Sequence, residues 1–313
     1  MFSGQGAQYY HMGAQLYALN KFFRQHMEAV DSTVMTQLGC SVLASMYAPQ
    51  RRKTECFDHT VLSSLAIFMV ERALTETLAH YDCRPDAVLS VSMGAFAAIC
   101  AGGAVGHQDM LEALLQQSDA LESACLEGAM LAILAPLAVY EHNLELAETS
   151  EVAAVNAASH FVIASLRTEI PRVEAFLATR KVAFQRLPVS RAYHSRWIDP
   201  ARAGFFGASK RLLYTQGRIP MNLCSTAPSA MFPSTEAIWN AIRAPIRFSE
   251  AVQHFEQDGP HRYIDVGTSG TLATLLKYAL PVHSRSCAHA ILTPLGHDHQ
   301  NLQKVLLAVG ACR

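Results

Sequence analysis

The chain has 313 residues, half of them hydrophobic and only 16% charged, so it can bury one large domain or one domain carrying a smaller insert, and the composition argues against disorder. A formal net charge of -1 and a pI near 6.9 exclude general attraction to nucleic acid or to an anionic membrane surface. The eight cysteines are scattered, with no CxxC and no Cys/His pair at metal spacing. That usage fits a reducing compartment, and no basic stretch precedes an apolar run at the start, so a cytoplasmic protein is expected.

In chain order, residues 3–8 form a loop with glycines at 4 and 6. Such a loop lets backbone N–H groups approach a ligand; the alternative is an ordinary turn before a helix near Tyr10. Residues 16–34 carry helical periodicity, with Phe22, Phe23, Met27 and Val30 on one face. Residues 61–78 predict a long apolar helix with Thr60 as N-cap.

Residues 87–105 then predict a buried strand, a sharp turn at Ser90-Val91-Ser92-Met93-Gly94, and an apolar helix. A nucleophile at such an elbow sits on strained backbone, so the residues two before and two after it must be small, as Ser90 and Gly94 are. The following helix points its first N–H groups at whatever Ser92 attacks. A buried, Ala-rich helix with incidental serines is the alternative. A membrane span is disfavoured, because five of these 19 residues are Gly or Ser and no flanking charge pattern supports insertion. Residues 109–127 predict a further helix with Asp109 as its cap.

Beyond this point the pattern changes. Strands over 129–134, 152–156, 161–165 and 183–187 alternate with helices over 138–148 and 171–179. The order βαββαβ predicts a ferredoxin-like unit over residues 127–192, inserted into a large discontinuous domain formed by 1–126 and 193–313. After it come a helix to about residue 213, a strand over 219–225, helices over 236–240 and 248–257, a strand over 262–266 and a helix over 272–278. Strands alternating with helices predict an α/β fold with a parallel sheet covered on both faces.

A serine nucleophile needs a base, a group orienting that base, and oxyanion donors. Of 14 histidines, His194 stands out because its Tyr-His-Ser loop directly follows the expected insert; a surface histidine is the competing reading. His297-Asp298-His299 offers a metal-like pair without a third ligand and predicts a polar loop instead, so no metal is expected.

FSGQGAQ at 2–8, the elbow at 90–94, GAMLAIL at 128–134, AAVNAAS at 153–159, AYHS at 192–195, APIRF at 244–248 and YIDVG at 263–267 occur in that order. Together they resemble the malonyl-CoA:acyl-carrier-protein transacylase family, which includes the acyltransferases of polyketide synthases. The resemblance implies a hydrolase-like α/β domain with a ferredoxin-like insert and an active site between them. It makes Ser92 the nucleophile and His194 the base, with no carboxylate partner. It assigns the oxyanion to the backbone N–H groups of Gln5 and Met93, and the orientation of His194 to a backbone carbonyl from APIRF, taken as that of Arg247. A monomer without a cofactor of its own is expected, acting on an acyl thioester carried on the phosphopantetheine arm of an acyl carrier protein.

Departures from the family pattern bear on specificity. The family's Gly-His-Ser-x-Gly-Glu is here Ser90-Val91-Ser92-Met93-Gly94-Ala95, and a glutamine usual near residue 64 is Ser64. The arginine that pairs with a malonyl carboxylate in the family corresponds to Gln117, and there is no Arg or Lys from Ser92 to Leu166. Gln117, Val91, Ser64 and Tyr193 are the expected acyl-specificity positions. These features resemble a hydrolase branch of the family that strips acyl groups from carrier proteins of polyketide synthases with separate acyltransferases. Asn156 and Arg196 are expected to contact the carrier or its pantetheine, within a basic rim of Arg191, Arg196, Arg202, Lys210 and Arg211. Transfer of a monocarboxylic starter unit, an inactive carrier-binding scaffold, and a lipase or esterase are the alternatives.

Overall fold

The computed structural model describes residues 1–225 and 231–310. Strands run in the order β1 (Val88–Leu89), β2 (Gly128–Ile133), β3 (Ser150–Ala157), β4 (His160–Leu166), β5 (Phe184–Arg186), β6 (Met221–Asn222), β7 (Arg262–Asp265) and β8 (Cys287–Ala290). The parallel pairs β1–β6 and β7–β8 are joined by the first residues of the chain. Phe2 donates to Leu89 and accepts from Val91, while Met1 donates to Ile264 and accepts from Val266, so residues 1–2 complete one parallel arrangement between β1 and β7.

Helices cover this sheet. The longest, Thr60–His80, buries 14 of its 21 residues, which is why its sequence is apolar nearly all round. Its cap is His59, not Thr60, whose hydroxyl instead meets Ser190 Oγ at 3.0 Å. The periodic stretch 16–34 is two helices, Ala14–Leu19 and Lys21–Leu38, divided at Asn20. Asn20 stays extended and its side chain accepts from the amides of Phe22 and Phe23, so a buried cap outcompetes continuous helix. Helix His107–Ala124 starts two residues before Asp109, from Gly106. The expected helix over 138–148 is two short ones, Ala138–Glu141 and Leu144–Thr149, and the strand expected over 219–225 is only Met221–Asn222.

Strands β2 to β5 form a separate antiparallel sheet in the order β3-β4-β2-β5, the ferredoxin-like arrangement. Its two faces follow the period of two. Leu131, Ile133, Phe161 and Ile163 pack with helix Ile170–Thr179 in a core of their own. Met130, Val162 and Ala164 turn the other way into the main core. The sheet is also stitched to the body. Ile246 donates to Ala153 at 2.8 Å and accepts from Val155 at 3.0 Å, and Gly128 donates to Ser190 at 3.0 Å. Among the described residues, no helix is long and apolar enough to cross a membrane.

Candidate active site

Strand β1 ends in a turn that lifts Ser92 out of the sheet. Ser92 has φ 55, the left-handed region that a non-glycine residue enters at a cost of about 1–3 kcal/mol. Two glycines make the turn sterically feasible. A Cβ on Gly94 would lie 2.5 Å from the Ser3 carbonyl oxygen, and one on Gly4 would lie 2.6 Å from Ser92 Cβ and 3.2 Å from Met93 N. The Gly-rich loop therefore rests directly on the elbow. The requirement for small residues two before and two after the serine is met by buried Ser90 and by Gly94.

His194 is the partner of Ser92. Its Nε2 is 2.8 Å from Ser92 Oγ and its Nδ1 is 2.7 Å from the Ala244 carbonyl oxygen. A carbonyl only accepts, so Nδ1 carries the proton and Nε2 is free to take one from the serine. His194 also has φ 60, and its amide donates to the Ile242 carbonyl at 3.1 Å. Burial lowers its pKa to about 4; the Ala244 hydrogen bond opposes that shift and Arg243 adds to it. The ring is thus neutral and able to act as a base near pH 7.

The orienting carbonyl belongs to Ala244, correcting the assignment to Arg247. Ala244 ends helix Thr235–Arg243, where carbonyls lack intrahelical donors, and it precedes Pro245, which holds it extended at ψ 153. Arg247 instead caps helix Phe248–Glu256, so its carbonyl accepts from the Ala251 amide at 3.0 Å. Its side chain pairs with Glu250 at 2.9 Å.

The amides of Gln5 and Met93 have no hydrogen-bond acceptor among the described residues. Both belong to segments in contact with the elbow, which suits donation to an oxyanion. The rest of the Gly-rich loop is tied down. Gly6 donates to Gln8 Oε1, Gln8 Nε2 donates to the Phe57 and Pro188 carbonyls, and Thr268 Oγ1 donates to the Ala7 carbonyl.

Gln117 is buried on helix His107–Ala124, and its amide bonds to no other described residue. Ser64 Oγ accepts from Gln5 Nε2 at 2.6 Å, so this expected specificity position is engaged with the loop. Tyr193 is buried beside His194, and burial raises its phenol pKa far above the ordinary value; Val91 is half-buried. Asn156 is buried with Nδ2 3.1 Å from His160 Nδ1.

The expected basic rim is largely occupied. Arg191 is a buried internal tie: Nε donates to the Leu121 carbonyl, Nη1 to Ser190, and Nη2 to the Glu122 carbonyl and carboxylate. It has no place on a docking surface, and three of its four bonds go to the end of the helix that carries Gln117. Arg196 is held by Glu151 at 2.7 Å and Arg202 by Glu236 at 2.9 Å, while Lys210 and Arg211 lie on a short 3₁₀ turn, Ser209–Arg211. His297 and Asp298 begin helix Asp298–Val309 instead of forming a loop, and no group of three or more His, Cys, Asp or Glu among the described residues could hold a metal. A cavity of about 960 Å³ lies at the opposite ends of the parallel strands, lined by residues such as Pro85, Ala87, Phe255 and Arg262. It shares no lining residue with the Ser92–His194 pair.

Residues 1–311 match the family described as acyl transferase domain. The chain belongs to this family. It is 38% identical over 309 residues to the polyketide biosynthesis acyltransferase homolog BaeD of Bacillus velezensis, covering 97% of this chain and 94% of that one. It is 35% identical over 305 residues to the polyketide biosynthesis acyltransferase homolog PksD of Bacillus subtilis, at the same coverage of 97% and 94%. Among solved structures, a loading acyltransferase from the avermectin modular polyketide synthase superimposes with a TM-score of 0.88 over 99% of this chain and 98% of that one, at 20% identity. That likeness concerns the acyltransferase fold alone.

Neither the Gln5 side-chain contacts with the long helix nor the buried Glu71 behind Ser3 was anticipated from sequence. The available signal is a glutamate directly after the apolar run 65–70, seven residues after Ser64.

Proposed function

We propose that this acyltransferase-family protein is an acyl hydrolase of polyketide biosynthesis, removing uncharged acyl groups from acyl carrier proteins. Ser92 Oγ attacks the thioester carbonyl while His194 Nε2 takes its proton. The oxyanion is held by the amides of Gln5 and Met93. The imidazolium returns the proton to the departing phosphopantetheine sulfur, leaving acyl-Ser92 and a free carrier thiol. His194 then takes a proton from water as its oxygen attacks the acyl-serine carbonyl, and the carboxylic acid leaves as Ser92 regains its proton.

The observation that supports this specificity is that Gln117, read as the family's arginine position, is buried and neutral, and that Arg191, the buried arginine among the described residues, is tied largely to the end of the same helix. A malonyl carboxylate buried there without a cation lacks compensation of about 3–5 kcal/mol, which disfavours diacid units by roughly two to four decades. The acyltransferase reading shares the first half-reaction, and the names of BaeD and PksD favour it. Incubating the protein with acetyl- or butyryl-loaded carrier protein and following the products by mass spectrometry separates the two. Free acid is the expected product; an acyl group that moves intact to a second carrier overturns hydrolysis in favour of transfer.

A further inference from the structure

Helix Thr60–His80 meets the Gly-rich loop at two points seven residues apart, two turns along one face. At the first, Gln5 Nε2 donates to Ser64 Oγ at 2.6 Å, and Ser63 Oγ donates to Gln5 Oε1 at 3.2 Å. Ser64 Oγ in turn donates to the Thr60 carbonyl at 2.6 Å, so its orientation is set by the helix itself. At the second point, Glu71 Oε1 accepts from Ser3 N at 2.6 Å and from Ser3 Oγ at 2.9 Å. Ser3 and Gln5 are the two residues flanking Gly4, which lies against Ser92.

We propose that Ser64 and Glu71 are positioning residues that clamp the loop from behind and so hold the Gln5 amide in register with Ser92. The inference rests on the reading of Gln5 as an oxyanion donor given above. A buried carboxyl is a costly way merely to fill space: Glu71 is fully buried, and its Oε2 has no partner among the described residues. An apolar side chain would pack the helix at lower cost but would leave the Ser3 amide and hydroxyl without an acceptor. Burial also pushes the Glu71 carboxyl well above the carboxylate range, against the pull of the Ser3 hydrogen bonds. The clamp works through Oε1, which accepts both Ser3 bonds. Glutamine presents the same acceptor geometry without a charge.

The test uses the burst of p-nitrophenolate from p-nitrophenyl acetate, which reports acylation of Ser92 alone, with S92A as background. In E71L and S64A the burst rate constant is expected to fall about 10–100-fold, the scale of a displaced oxyanion donor, with KM within about threefold of wild type. E71Q is expected to keep the wild-type burst. Thermal midpoints measured alongside should not track the rate losses, since the desolvation relieved by removing a buried carboxyl offsets the lost Ser3 bonds. S64A leaves the carboxyl in place and carries the test if E71L does not fold. A wild-type burst in S64A or in folded E71L overturns the clamp, as does an E71Q burst as slow as that of E71L. A wild-type enzyme that acylates but releases no free acid sinks the hydrolase reading and leaves the clamp standing.

Discussion

The parallel body and the inserted antiparallel sheet spend their residues differently. At the site the body departs from regular backbone: Ser92 and His194 both lie at positive φ, and each comes from a turn, not from a long element. The insert has alternating faces and a core of its own, its irregularities being two register shifts in β3 and a positive φ at Lys181, and none of its described residues bonds to Ser92 or His194. Its influence on the site is indirect. The backbone of β3 pairs with Ile246, two residues from the carbonyl that orients His194. The reacting pair sits on two strained turns of the body, while the antiparallel sheet braces a third turn beside them.

Removing the reacting groups should divide the two regions most sharply. S92A and H194A are each expected to lower kcat/KM by about four decades or more, and the double variant by no more than the worse single one, because the pair acts as a unit. Thioester cleavage assays on loaded carrier protein measure this, and additive losses would mean the two side chains act separately.

Q117R adds a cation to the body side of the site. It should raise acylation by malonyl thioesters about 100-fold relative to acetyl, approaching the scale of a restored buried pair. Intact-mass measurement of acyl-Ser92 after exposure to both donors gives the ratio. An unchanged ratio would show that Gln117 does not face the acyl group.

In the insert, I163A should cost about 2–5 kcal/mol of stability by leaving a cavity in the smaller core. Denaturant unfolding reports the loss. The kcat/KM of the folded fraction at low temperature should stay at the wild-type value, and a matching fall in rate would show the insert to be part of the chemistry instead of a brace.

The smallest effect is the pH response. The His194 pKa lies near 4, so its neutral form persists well below pH 6.5. The acid limb of kcat/KM should therefore fall near pH 4 to 5 instead of near 6.5. Stability has its own sign: between pH 6.5 and 4 the unfolded histidine binds a proton that the folded one does not, so this residue makes stability decline as pH is lowered through that window. An acid limb at 6.5 would mean that the imidazole is more solvated than its burial implies.

Local patterns made much of this legible. The elbow announces itself in residues 90–94, where a small residue must stand on either side of a strained serine. The ferredoxin-like order appears because the antiparallel strands are joined by short connections and their alternation survives in the sequence. Two apolar stretches misled for a local reason as well: Asn20 divides a periodic helix with a side-chain cap, and β6 needs only two residues of pairing to hold its place beside β1.

The chain by itself determined the alternation of strands and helices, the serine elbow, and that no Arg or Lys stands between Ser92 and Leu166. Only the tertiary structure decided which carbonyl meets His194, because that depends on which of two neighbouring backbone oxygens the next helix consumes: Arg247 gives its own to Ala251, and Ala244 has no such taker. It also decided that Arg191 is an internal tie, and that Ser64 and Glu71 grip a loop more than fifty residues away. Hydrogen bonds between distant segments leave no periodicity along the chain, since their geometry exists only once packing has brought the partners together.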